Sequence, residues 1–359
     1  MQFTDLVSLF SEIRECLDEG RKVFPNSRDL HYGLLRLLQL EREQDLCTAE
    51  DLLEACKQYF STRHDQLSCF DELRAPLQVL QTNLQRDFVN FALQTANTQS
   101  ESRTSSVVPH LNTLKFEYCF FISPNSAVQS AQDFCCKVID TYQQFCTTKK
   151  DSGEPGAQLV MLACMALLRP TQPVQEYTVD RNLQKTSYLQ AAFLLRYCLT
   201  RCKDNYPTLV VLTRILTFLG AVSLSTTFFK RLSIKNLQWE NAGHLLLTRL
   251  STLHPHQTKG NEDAFDPLQM LDLAMTANTT SVRSVRRLIM VGFNHKSYVN
   301  VMETISLRKD LKKSFSKQMY CIENARVHRL RNIPSSVRDN VSSGKVEFTK
   351  PTGSRICAC

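Results

Sequence analysis

The sequence predicts an all-α fold, an α-solenoid of stacked helical pairs. Three observations predict it. Apolar residues recur at spacings of three and four along nearly the whole chain, which is the period of an amphipathic helix. No stretch alternates apolar and polar residues for the length of a strand. Glycine is scarce, 10 in 359 residues, roughly half of average usage. Phosphate loops, tight hairpins and strand–helix crossovers all consume glycine. The shortage therefore argues against a dinucleotide-binding enzyme and a β-barrel. Hydrophobic residues make up 43% of the chain, enough to bury a core.

Leu6, Phe10, Ile13 and Leu17 form the stripe of a first helix, broken at Pro25-Asn26-Ser27. Leu30, Leu34, Leu35, Leu37 and Leu38 start a second, ending near Asp45. Thr48 is the expected N-cap of a third, and Glu50 and Asp51 suit its dipole. Leu52, Leu53, Cys56 and Phe60 are its apolar face. Further helices fit 70–80 and 83–96, so 1–96 reads as N-terminal helical repeats. Residues 97–110 read as a polar linker or loop. Helices resume over 126–146, and a second polar loop spans 147–156. Others fit 157–168, 185–202, 207–219, 223–231, 239–252, 267–277, 281–294 and 297–331. Residues 111–334 thus read as a helical-repeat region with basic C-terminal helices, and 335–359 as a disordered tail. Leu219-Gly220-Ala221 resembles the Leu-Gly turn of tetratricopeptide-like units, and makes the repeats degenerate pairs of that kind. Gly220 is expected where a side chain would obstruct helix approach or the turn itself.

Motifs that carry chemistry are few. There is no Gly-rich phosphate loop, Gly-x-Ser-x-Gly elbow or His-Glu-x-x-His helix. No catalytic, cofactor-binding or metal-ligating set is predicted. Cys198 and Cys202 share a helical face but lack two further ligands at zinc spacing. His254-Pro255-His256 reads as a solvated loop. The fourteen cysteines sit mostly in apolar helical contexts, as Cys164 does, and read as reduced core thiols of a cytoplasmic protein. Cys357-Ala358-Cys359 matches the end of some doubly prenylated small GTPases, yet nothing upstream is GTPase-like. No membrane contact is expected, since the longest apolar run, Leu159 to Leu168, is about half of what a bilayer needs.

Charge is unevenly spread. Residues 1–80 hold 9 Lys/Arg against 15 Asp/Glu, whereas 281–331 hold 12 against 3. Arg283, Arg286 and Arg287 fall at i, i+3 and i+4, and Lys309, Lys312 and Lys313 repeat the spacing. These six are the candidate contact for a polyanion or the ribosome, with Val285, Leu288 and Ile289 on an opposing apolar face. Without interleaved aromatics the contact would be to phosphates, and DNA is not expected. An ordinary solvated face is the alternative.

Three segments carry a resemblance. They are Ser68 to Leu77, with an extra acid and a proline; Leu212 to Leu253, with Leu219-Gly220-Ala221, Phe229 to Gln238, Gly243-His244-Leu245 and Ser251 to Pro255 beyond it; and Phe293 to Tyr298, with the helix through Arg326. In this order they are similar to the auxiliary subunit of the N-terminal acetyltransferase B complex (NatB). The resemblance implies a non-catalytic helical scaffold that wraps a separate catalytic subunit. That complex acetylates nascent chains beginning Met-Asp, Met-Glu, Met-Asn or Met-Gln with acetyl-CoA, in the cytoplasm. Family members are longer, so the chain is expected to be their central-to-C-terminal part or a shortened product. The alternative function is an RNA- or ribosome-binding helical-repeat protein.

Overall fold

A computed structural model describes residues 3–100, 106–124, 128–146, 153–169, 181–258 and 265–333. Among these, every regular element is a helix. The chain divides into two compact units, Met1–Thr208 and Leu209–Cys359.

The first unit holds α1 (Phe3–Val23), α2 (Arg28–Glu43), α3 (Ala49–Arg63), α4 (Cys69–Gln78), α5 (Thr82–Ser100), α6 (Val108–Glu117), α7 (Val128–Cys146), α8 (Gly153–Leu168) and α9 (Arg181–Arg201). Helices adjacent in sequence pack together, as α1 on α2 and α7 on α8 do. Helices two apart also touch: α2 with α4, α3 with α5, α4 with α6 and α6 with α8. That double pattern is what stacked helical pairs produce, each repeat covering the next. The expected N-cap of α3 is present as a capping box: Thr48 Oγ1 accepts from the Asp51 N–H at 3.1 Å, and the Thr48 N–H donates to Asp51 Oδ2 at 3.3 Å.

Aromatic rings fill the centre of this unit. Phe88 meets Phe60 and Phe116 edge-on, with centroids 5.7 and 5.2 Å apart. Glu72 is buried on α4, where it accepts from Arg28 of α2 (2.8 Å from Nε) and from the Tyr59 hydroxyl of α3. One carboxylate thus pins three helices, and burial together with Glu72 pushes the Tyr59 phenol up.

A helix that the pattern did not suggest is α6, which runs into a π-helical turn at Tyr118–Ile122. It is buried on all sides, so it has no polar face to show a period. Its Asn112 and Thr113 are buried too. Asn112 Nδ2 donates to the carbonyls of His64 and Gln66, and Thr113 to that of Pro109.

The helix α10 (Tyr206–Phe218) crosses into the second unit, which continues with α11 (Val222–Arg231), α12 (Gln238–Ala242), α13 (His244–Leu247), α14 (Leu250–Leu253), α15 (Pro267–Asn294), α16 (Tyr298–Lys312) and α17 (Phe315–Leu330). The single helix expected over 239–252 is three short ones, because the chain bends to receive α17. Tyr320 donates from its hydroxyl to the Trp239 carbonyl at 3.0 Å, and a Cβ on Gly243 would overlap that hydroxyl. The two helices expected at 267–277 and 281–294 are one. Thr279 and Ser281 bond back to the carbonyls of Met275 and Ala277, and Asn278 donates to Glu240, so the polar run does not break the turn. Conversely, 297–331 splits at Ser314, whose hydroxyl accepts from the Lys317 N–H at 3.0 Å and caps α17.

The expectation for Gly220 needs a correction. The residue sits at φ +78 with open space around it: nothing lies within 4 Å of where a Cβ would be. Helix approach is therefore not its reason. The Ala221 N–H bonds to the Leu216 carbonyl at 2.9 Å and the Gly220 N–H to that of Thr217 at 3.1 Å. This is a Schellman cap with glycine in the left-handed position. Lys296 (φ 56) plays the same part after α15: the Ser297 N–H bonds to the Gly292 carbonyl and the Lys296 N–H to that of Phe293. We expect Gly220→Ala and Gly220→Leu to destabilise alike, by about 1 kcal/mol, the left-handed penalty alone. Chemical denaturation of both variants measures this. A leucine variant much worse than alanine would restore the packing explanation.

Candidate functional site

Among the described residues, no three or more His, Cys, Asp or Glu side chains converge as a metal site requires. No described helix is long and apolar enough to cross a membrane. The described cysteines are free thiols. Burial pushes the thiols of Cys56, Cys69 and Cys164 up, and those of Cys135 and Cys198 to about 11, so they pack as hydrophobes and are poor nucleophiles. Cys198 is buried in the core, while Cys202 Sγ donates to the Gly153 carbonyl at 3.4 Å. The His254-Pro255-His256 turn is anchored rather than free. The His254 ring packs on Phe265 at 5.3 Å, and Arg331 donates to the Pro255 carbonyl. The Cys357-Ala358-Cys359 end and the tail from 335 lie outside the described residues.

Two surfaces remain as candidates. The first is the basic hairpin of α15 and α16. Arg283, Arg286 and Arg287 are exposed on α15, and Lys309, Lys312 and Lys313 are exposed at the end of α16. None of the six makes an ion pair or side-chain hydrogen bond among the described residues, whereas Arg326 is held by Glu323 at 2.7 Å and Arg331 lies 3.1 Å from Asp266. The apolar side behind them is only half as expected. The buried stripe of α15 runs Met270, Leu271, Ala274, Asn278, Ser281 and Val285, then stops. Leu288 is 55% exposed. Beyond Val285 the main cover is α16, whose own buried residues are just Val301 and Leu311.

The second surface had no sequence signal. In the first unit, α7 and α9 flank α8 and leave an apolar trough above it. It consists of two cavities, about 300 and 630 Å³, that share Ile139, Phe193 and Leu194. Leu189, Phe193 and Tyr197 form a ridge at i, i+4 and i+8 along α9 and stand 60, 72 and 39% exposed. Apolar residues at helical spacing read as core. Only packing reveals that this stripe faces outward.

Parts of the segments that carry the resemblance fall in the interior, whereas 231–238 and 293–298 are largely exposed. Ser68 to Leu77 coincides with α4, where Cys69, Leu73 and Leu77 are fully buried. The second and third segments meet each other. Tyr320 packs over Gly243, Ser314 donates to Glu240, and buried Glu323 accepts from the Ser251 N–H at 2.9 Å.

Residues 5–356 match the family model NatB_MDM20, described as the non catalytic subunit of the N-acetyltransferase B complex (NatB). The chain is 27% identical over 130 residues to the N-terminal acetyltransferase B complex subunit MDM20 of Saccharomyces cerevisiae, covering 36% of this chain and 16% of that protein. It is 24% identical over 323 residues to the N-terminal acetyltransferase B complex auxiliary subunit NAA25 of Arabidopsis thaliana, covering 85% of this chain and 28% of that one. The chain thus spans under a third of the length of either relative. Among solved structures it is similar to human IFIT1 in its dimer with PPP-AAAA (TM-score 0.39, 12% identity, 90% of this chain and 69% of that chain). A monomeric IFIT1 mutant with Gppp-AAAA gives a TM-score of 0.38 at 13% identity, over 89% of this chain and 67% of that chain.

One titratable group of the first unit yields a pH expectation. His110 of α6 packs on the Phe145 ring of α7 at 4.7 Å, and its Nε2 is buried with no hydrogen-bond partner. Burial lowers its pKa below the ordinary 6.5. Below pH 6.5 the unfolded chain takes up a proton that the folded chain resists. Its contribution is therefore intact above pH 6.5 and is lost as pH falls toward the folded value. Urea unfolding at pH 7.5 and 5.5 should show His110→Gln losing less stability on acidification than the parent chain. An equal loss would contradict the assignment.

Proposed function

We propose, proceeding from the fact that this chain belongs to the family of non-catalytic subunits of the N-acetyltransferase B complex (NatB), that it is a helical scaffold holding a separate catalytic subunit. The observation that carries this reading is the family match over residues 5–356. Stacked helical pairs support it, since such arrays present extended surfaces to partners. In this reading the catalytic subunit brings the acetyl-CoA chemistry, and this chain positions it. The substrates are nascent chains beginning Met-Asp, Met-Glu, Met-Asn or Met-Gln, acetylated in the cytoplasm during translation. Co-expression with the NatB catalytic subunit of the same organism tests this. A nuclease-treated pull-down on this chain should recover that subunit, and the isolated chain should not acetylate a Met-Asp peptide. Turnover by the pure chain, or no recovery, would refute the reading.

The basic hairpin has a place in the same function. Six exposed cations, none of them ion-paired among the described residues, repel one another, and a polyanion relieves that repulsion. Arg283, Arg286, Arg287, Lys309, Lys312 and Lys313 are our candidate contacts for ribosomal RNA phosphates, which would keep the scaffold near the nascent chain. Charge reversal of Lys309, Lys312 and Lys313 to Glu should reduce ribosome co-sedimentation at low salt, with helical content unchanged by circular dichroism. Unchanged sedimentation would assign these residues to an ordinary solvated face.

A further inference from the structure

We infer that the trough between α7 and α9 is the seat for one amphipathic helix of the catalytic subunit. The inference rests on the scaffold reading above and names the surface that performs it.

The dimensions suit a helix. From Leu189 to Tyr197 the ridge on α9 runs about 12 Å, and from Gln132 to Gln143 the opposite wall on α7 runs roughly 16 Å, two to three helical turns. The floor is α8, with Leu159, Val160, Ala163 and Leu167. Two flanking helices over a third reproduce the groove into which an apolar helix face is laid. Exposure argues that the groove is a contact surface. Phe193, at 72% exposed, is among the most exposed large hydrophobic residues of the chain, and it stands where the two cavities join.

Charge narrows the occupant. The residues lining both cavities include no Asp, Glu, Lys or Arg. A charged face buried there would lose its water with no counter-charge to replace it. The face that enters is therefore neutral and apolar. The rims differ in sign. On α7, exposed Asp140 lies one turn beyond Cys136; on α9, exposed Lys185 and Arg196 lie one turn before Leu189 and just past Phe193. None of the three makes an ion pair or side-chain hydrogen bond among the described residues. The complementary helix carries an apolar stripe, with cations on its flank toward α7 and carboxylates on its flank toward α9.

The test uses the full chain co-expressed with the NatB catalytic subunit. Leu189→Glu with Phe193→Glu should cut recovery of that subunit more than tenfold. Because both positions are exposed, circular dichroism and the thermal midpoint should stay close to those of the parent chain. Phe193→Leu should retain recovery. As a measurement independent of stability, a photoreactive benzoyl-phenylalanine at 193 should cross-link to the catalytic subunit. Undiminished recovery by the double variant overturns the trough while leaving the scaffold reading intact. So does a cross-link from 193 only to a second copy of this chain or to another of its own segments. Failure of the parent chain itself to recover the catalytic subunit overturns both.

Discussion

Few of the described helices are long enough to be more than marginal by themselves, and that constraint organises everything else. Most are 10–21 residues long, around the length at which an isolated helix is marginal in water. Each must have its apolar face covered by a neighbour. In the first unit the cover comes from the next helix and the one after it, which produces stacking. In the second unit it comes from α17, which folds back on α13, α14 and α15. Where cover runs out, apolar surface is left in the open, as at Leu288 on α15 and at Phe193 on α9.

Covering a face also buries polar atoms, and these must find partners. Three carboxylates show how. Glu72 collects Arg28 and Tyr59 from two other helices. Glu240 accepts from Asn278 and Ser314, and Glu323 from the Ser251 N–H and Arg326. Each would be costly alone in the interior, and each instead joins segments distant in sequence. In a stacked array such joints matter, since misplacing one helix tilts every repeat stacked beyond it.

The helix ends explain the shortage of glycine. A left-handed residue closes α2 at Asp45, α10 at Gly220, α15 at Lys296 and α17 at Asn332. Only one of the four is glycine. The others bear the steric penalty and are held by the paired bonds of the Schellman cap. Lys296 makes the tightest case, because its turn lets α16 reverse along α15. There a Cβ on Gly292 would stand 2.7 Å from Val301 Cγ2.

Helical class, the short-helix architecture and the cap at Thr48 were legible in the sequence, because apolar period and capping chemistry are local properties. So was the basic character of residues 281–331, a matter of counting. Three things were decided only by tertiary structure. The helix α6 is buried all round, so no period announces it. The breaks at Gly243 and Ser314, and the absence of one at Asn278, depend on Tyr320 and Glu240, which lie 38 to 77 positions away. The trough on α7 to α9 was invisible for a different reason. Leu189, Phe193 and Tyr197 satisfy the same periodicity whether the stripe faces a core or solvent, and only the packing of the three helices leaves it uncovered.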